Sequence, residues 1–430
     1  MLGKLSYLKI NVRLTKRGFL VLFIPYLTSS TWYFLFFAQI PNYVIKNLGS
    51  TSQSIWVNVY VNFSIVLSIL IGCLFVDKVD KVRIIYAWAA VMPIATILLM
   101  FASNLASILV FLFLLGVMFG MGLLAYCVYF CSLTNTEERG RVGGTIVFVS
   151  LLSYPIFLSF SFNTSGTLIT FVFLGVCTFM IHLLKPRERA GLTTKEKVST
   201  VQSNNKSLLL YLIPWMVFCA VNATLAYVVT NYLTHQFSGF VFQAQFLKYL
   251  GASLGALIGG LSADWIGRKM ALSIGLVSYG IGTALSGLGR SPELFLFAYI
   301  ASGFSWGIFL VVYTLVIWGD LASKKICASF YAAGFIPLYF LEGFGLLVLP
   351  KILYVSAIYA ALVSSFLIFL SNVPIIFAKE LLPQYIIEEM NLTRYIQWLK
   401  NLIKKQKPSE SKKFKIKVES PHKKKGRREE

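Results

Sequence analysis

Charge is what this 430-residue sequence has least of: 13% of its residues are Asp, Glu, Lys or Arg. That is about half the share that a water-facing globular surface carries. With 57% hydrophobic residues and a mean hydropathy of +0.73, a soluble domain is excluded and the chain belongs in lipid. Histidine is scarce, with three copies. The six cysteines, at 73, 127, 131, 177, 219 and 327, lie in apolar runs with no C-x-x-C pair, so no metal or redox centre is expected. Cys127 and Cys131 share a helix face and read as small packing residues. No G-x-x-x-x-G-K-[ST] loop exists, which excludes an ATP-driven pump in one chain. H-E-x-x-H is absent too, and no nucleophile–base pair is visible. Neither an enzyme nor a cofactor is expected.

Long apolar runs are what is there. A bilayer needs about 20 such residues per helix, and twelve segments qualify. They are 18–45, 55–76, 83–102, 105–132, 142–162, 166–184, 207–234, 241–263, 270–288, 293–319, 326–349 and 353–378. Lys and Arg divide 35 to three between alternate loops, Lys46, Arg290 and Lys351 being the three. The bias of basic residues toward the cytoplasm then puts both termini inside the cell. The net charge of +22 is a topology signal plus a basic tail, and requires no nucleic acid.

A shift of 187 residues superimposes the halves. It maps Gly72 on Gly259, Asp77 on Asp264, Gly116 on Gly303, Gly120 on Gly307 and Tyr126 on Tyr313. The expected organisation is a basic N-terminus (1–17), a six-helix bundle (18–184), a polar linker (185–206), a second bundle (207–378) and a basic tail (379–430). Within the tail, 384–405 reads as an amphipathic helix, and the basic stretch 406–430 is expected to meet anionic lipid headgroups, a solvated tail being the alternative.

The segment GGLSADWIGRKM at 259–270 closely resembles the G-x-x-x-D-[RK]-x-G-R-[RK] signature of the major facilitator superfamily. Gly260, Asp264, Gly267, Arg268 and Lys269 match, while Trp265 departs. Asp77, Lys78 and Arg83 form a weaker copy in the first half, where Cys73 and Asp80 replace glycines. Glu138-Arg139-Gly140 and Glu380-Leu381-Leu382-Pro383 resemble segments of the sugar-porter and metabolite-symporter branches. The resemblance implies two pseudo-symmetric six-helix bundles around a central cavity, a monomer in the plasma membrane, and alternating access. These residues would then form a gate. The positive dipole ends of helices 5 and 11 point into the same loops, so Asp264 and Asp77 are expected against them.

Charges within a bilayer are costly and usually functional. The spans hold two in their interiors, Lys248 and Glu342. Counting helical rise, they lie about 24 and 26 Å from the same end, so a cavity-facing pair is expected. Alternatives are a salt bridge between helices 8 and 11, or Lys248 snorkelling outward. Further candidates for solute or proton binding are Asn58 and Asn62 on one face, Tyr26, Ser30 and Tyr33 on another, and Tyr126, Asn222, Trp306, Tyr313 and Tyr339. Two amides on one membrane face are costly unless they find partners. The expected function is secondary transport of a small organic solute, as proton-coupled symport. Efflux or uniport, and a non-transporting sensor or scaffold, are the alternatives. Span 4 lacks the arginine often tied to proton coupling, and span 5 lacks the glycine-proline pattern of drug antiporters. Glu342 is left as the membrane-embedded proton carrier.

Overall fold

In hydrocarbon, a backbone must satisfy its own polar groups, and long apolar runs do so as helices. The computed structural model describes residues 14–48, 51–102, 104–160, 205–289, 291–323, 326–352 and 355–383, with scattered positions in 174–184 and 386–399. No strand occurs among them. The helices are α1 (Lys16–Leu48), α2 (Thr51–Phe75), α3 (Lys81–Met100), α4 (Leu105–Leu133) and α5 (Arg139–Phe160). They continue with α6 (Asn205–Ala223), α7 (Leu225–Gln236), α8 (Val241–Trp265), α9 (Arg268–Leu288), α10 (Pro292–Val311), α11 (Cys327–Ile352) and α12 (Ala357–Leu370). Eleven stretches among the described residues are long and apolar enough to cross a membrane, which agrees with a count of twelve. The expected span 166–184, the linker 185–206 and the tail helix 384–405 lie for the most part outside the described residues.

Two local features were invisible in the hydropathy pattern. The run at 207–234 is broken into α6 and α7 at Thr224, where α11 comes so close that a Cβ on Gly345 would meet the Ala223 carbonyl. In addition, α10 runs on through a π turn at Val312–Ile317 and a last turn at Trp318–Leu321. Apolar content sets where a helix lies, but not how its carbonyls are paired.

The halves repeat in their contacts, not only in sequence. In the first, Gly116 and Gly120 of α4 face α2, where a Cβ would lie 3.3 Å from the Val61 carbonyl and 2.7 Å from that of Ile65. In the second, Gly303 and Gly307 of α10 press on the carbonyls of Lys248 and Ala252 in α8. All four pairs obey the same offset of 187. Small residues allow such approach, and dispersion then holds the helices together without help from water. Up to Pro383 the helices form one compact unit, and its halves meet mainly where α5 packs on α8 and α2 on α11.

Candidate functional site

The interface between the halves has a closed end and a cavity. At the closed end, Asp264 finishes α8 and reaches the first turn of α5. Its Oδ1 accepts from Gly140 N at 3.0 Å, and its Oδ2 from Arg141 N at 2.8 Å and Arg141 Nε at 3.2 Å. Asp77, beyond α2, does the same for α11, accepting from Ala328 N at 3.0 and 3.2 Å. Arg141 and Ala328 are again 187 residues apart. Gly140, Gly144 and Gly260 make the approach possible, since a Cβ on Gly144 would lie 2.8 Å from the Ala256 carbonyl.

A buried ion network extends this closure on one side. Arg268 donates from Nε to Asp320 Oδ2 at 2.9 Å and sits 3.3 Å from Asp264 Oδ1. Its other donors go to the Ala263 and Thr136 carbonyls. Arg139 of the opposite half ion-pairs with Asp320 through Nη1 and donates to the Cys131 and Thr134 carbonyls. Both arginines and Asp320 are almost wholly buried. Charges so placed need partners of this quality. Gly267 takes φ +105°, open to glycine at little cost, and turns the chain so that Glu380 caps α9 through Arg268 N at 2.8 Å and Lys269 N at 3.2 Å. Lys269 Nζ donates to the Ile376 carbonyl, while Lys78 is exposed and Arg83 makes only a surface pair with Asp80.

Asp320 was not singled out from the sequence. It stands one residue past the edge of its apolar run, where an acid reads as loop. Arg139 likewise reads as a topology charge until its burial is seen.

A cavity of about 340 Å³ lies between the halves. Of the sequence candidates it is lined by Tyr26, Ser30, Tyr33, Asn58, Asn62, Asn222, Trp306, Tyr339 and Glu342. Phe119, Tyr227, Thr314 and Phe335 line it as well, and nothing in a uniformly apolar run marks them in advance. Glu342 is the one charged side chain in the lining among the described residues. Tyr33 stacks on Phe119 with centroids 4.7 Å apart, and Tyr339 stands edge-on to both at 6.0 and 6.2 Å. Asn62 donates to the Asn58 carbonyl at 3.0 Å, and Asn222 Oδ1 accepts from Tyr279 at 3.2 Å.

Three candidates lie elsewhere. Lys248 is outside the lining, its Nζ 5.9 Å from the centre of the Tyr299 ring. It makes no direct ion pair with Glu342, although the two charges are near enough to sense each other. Tyr126 is buried against Tyr26 and donates to the Leu22 carbonyl at 2.9 Å. Tyr313 is buried beside Trp215 in the π turn. Cys127 and Cys131 approach the Thr314 and Gly319 carbonyls across the interface.

A family model described as Major Facilitator Superfamily matches residues 18–326. Among solved structures, the chain is similar to a bacterial homologue of the iron transporter ferroportin in an outward-facing state, at 13% identity and a TM-score of 0.66. It is also similar to the human organic anion transporter MFSD10 (TETRAN), at 14% identity and 0.64. Each comparison covers 84% of this chain and 99% of the other. No curated protein matches the chain significantly in sequence.

Proposed function

We propose, from the premise that this chain belongs to the Major Facilitator Superfamily, that it carries a small organic solute across the membrane by alternating access, linked to proton movement at Glu342. Membrane transport follows from the family and fold; solute and coupling are the proposal. The observation that carries it is the way the halves meet. The cavity lies at their interface, and at one end they are joined by carboxylates seated on each other's helix starts. Such contacts break and re-form as a unit when two bodies rock, which the fixed packing inside each half permits.

The basic loops put the closed end in the cytoplasm, with both termini on that side. The protein then works as a monomer in the plasma membrane, its basic tail near anionic headgroups. Opening toward the cytoplasm requires Asp77 and Asp264 to let go. Glu342 holds and releases the transported proton, since no other acid lines the cavity among the described residues.

The test is thiol labelling of a single cysteine at Asn62 in proteoliposomes, from either side. The wild-type background should label from both sides in turn, and Asp264→Asn should raise labelling from the closed end several-fold. Labelling from one side alone in both backgrounds would overturn the carrier.

A further inference from the structure

Glu342 is the one acid lining this aromatic chamber among the described residues. The ionisable side chains that sense it are Tyr33 of α1, Cys219 of α6, Tyr227 of α7, Lys248 of α8 and Tyr279 of α9. On its own helix Tyr339 stands one turn before it. Phenols and thiols are neutral near pH 7. Lys248 alone can carry charge, and its ammonium is turned to Tyr299 outside the lining. The carboxylate therefore has no cation in contact with it, and an isolated charge in such a site calls for one.

The next observation is independent. Asn62 lines the same cavity and is 1% exposed. Its Nδ2 donates to the Asn58 carbonyl at 3.0 Å, which fixes the amide orientation, because a flip would set oxygen against oxygen. That leaves Oδ1 buried with no protein donor. It sits beside the carboxylate's own stretch of α11, since a Cβ on Gly343 would lie 3.1 Å from Asn62 Cβ. An orphaned acceptor in the same cavity as a carboxylate with no cation in contact is suited to a ligand that brings both charge and N–H groups. The rings of Tyr33, Phe119 and Tyr339 add faces that attract a cation within about 6 Å. No Arg or Lys lines the cavity among the described residues, so an anionic solute would meet a like charge.

We propose that the solute is a small primary or secondary organic ammonium ion with an aromatic or bulky apolar body, its N–H groups shared between Glu342 and Asn62 Oδ1. This rests on the carrier reading above. The ammonium ion and the transported proton then exclude each other at one carboxylate. Binding of the amine releases the proton from Glu342, and coupling takes the form of exchange in place of the symport expected from the sequence.

The experiment is equilibrium dialysis of the full chain in detergent with four probes of one shape. They are 2-phenylethylamine, its N,N,N-trimethyl derivative, 2-phenylethanol and 3-phenylpropionate. The amine should bind about tenfold tighter than the alcohol or the carboxylate, as expected for one charge-assisted hydrogen bond. The quaternary ion, which keeps the charge and loses the donors, should fall between. Glu342→Gln should remove the preference for amine over alcohol while leaving alcohol binding in place, and amine binding should release a proton from the wild type only. Equal or tighter binding of the alcohol or the carboxylate by the wild type overturns the proposal, as does failure of all four to bind, and neither result depends on a variant folding. The carrier reading is judged separately by the labelling of Asn62→Cys. A site reached from both sides that prefers carboxylate discards the cation alone, and one reached from a single side discards the carrier whatever it binds.

Discussion

Tyr126 and Tyr313 occupy equivalent places in the two halves and meet different surroundings. The first donates to the Leu22 carbonyl, while the second has a buried hydroxyl with no partner. Removing a satisfied hydroxyl costs about 1 kcal/mol, whereas removing an orphaned one costs nothing or gains. Tyr126→Phe should therefore lower the melting temperature in detergent, and Tyr313→Phe should hold or raise it. A drop in Tyr313→Phe equal to that in Tyr126→Phe would count against the assignment. Asp320 lies between two buried arginines. Asp320→Asn leaves both guanidinium groups short of charge, and one broken buried pair costs about 3–5 kcal/mol, so this variant should be the least stable of the set in the same melt. Asp77 differs in being half-buried. Burial raises its carboxyl above 3.8, against the opposing pull of the Ala328 N–H and Lys81. A raised acid stabilises the fold below its unfolded value, and that contribution is lost as pH rises through the folded one. Melting of the wild type minus that of Asp77→Asn should therefore fall as pH is raised from about 3.8; a difference that rises would refute the sign. None of these three differences was legible in the sequence. The repeat equates the tyrosines, and only the surrounding helices tell them apart.

The crossing of α5 on α8 is where an element-scale change acts. A Cβ on Gly260 would run into the Gly140 carbonyl and lie 2.7 Å from Gly144 Cα. Overpacking of this kind costs about 1–3 kcal/mol. It falls only on the state in which the helices touch, so Gly260→Ala should shift the balance toward opening at that end by roughly 5- to 150-fold. Labelling at Asn62→Cys from the closed end reads this directly; no change would mean the crossing persists through the cycle. Helix boundaries were largely legible, because lipid demands continuous apolar runs and few sequences satisfy that by chance. The break at Thr224 and the π turn at Val312–Ile317 were not. Both depend on how near another helix comes, and hydropathy carries no record of distance.

For the whole molecule, orientation is the quantity that loop charge determines. Cysteines in place of Ala190 and Ser420 should label from the cytoplasmic side and one in place of Arg290 from the opposite side, given the basic residues divided 35 to three. Common labelling of Ala190→Cys and Arg290→Cys would reverse the span count. The signature, the offset of 187 and the closed end were all legible, since each is written in residues that polar loops make conspicuous. The chamber around Glu342 was legible only in part, in its asparagines, Glu342 and some of its aromatic residues, while Phe119, Tyr227, Thr314 and Phe335 were not marked. The seating of Asp264 on α5 and Asp77 on α11 has a further consequence. A helix normally carries its own N-cap, a side chain that satisfies the first free N–H groups. Here each half holds the cap of the other. When the halves part, the first turns of α5 and α11 lose those acceptors together and must turn to water, so opening is coupled to fraying. Amide hydrogen exchange at Gly140, Arg141 and Ala328 should thus quicken in step, and only while the carrier turns over.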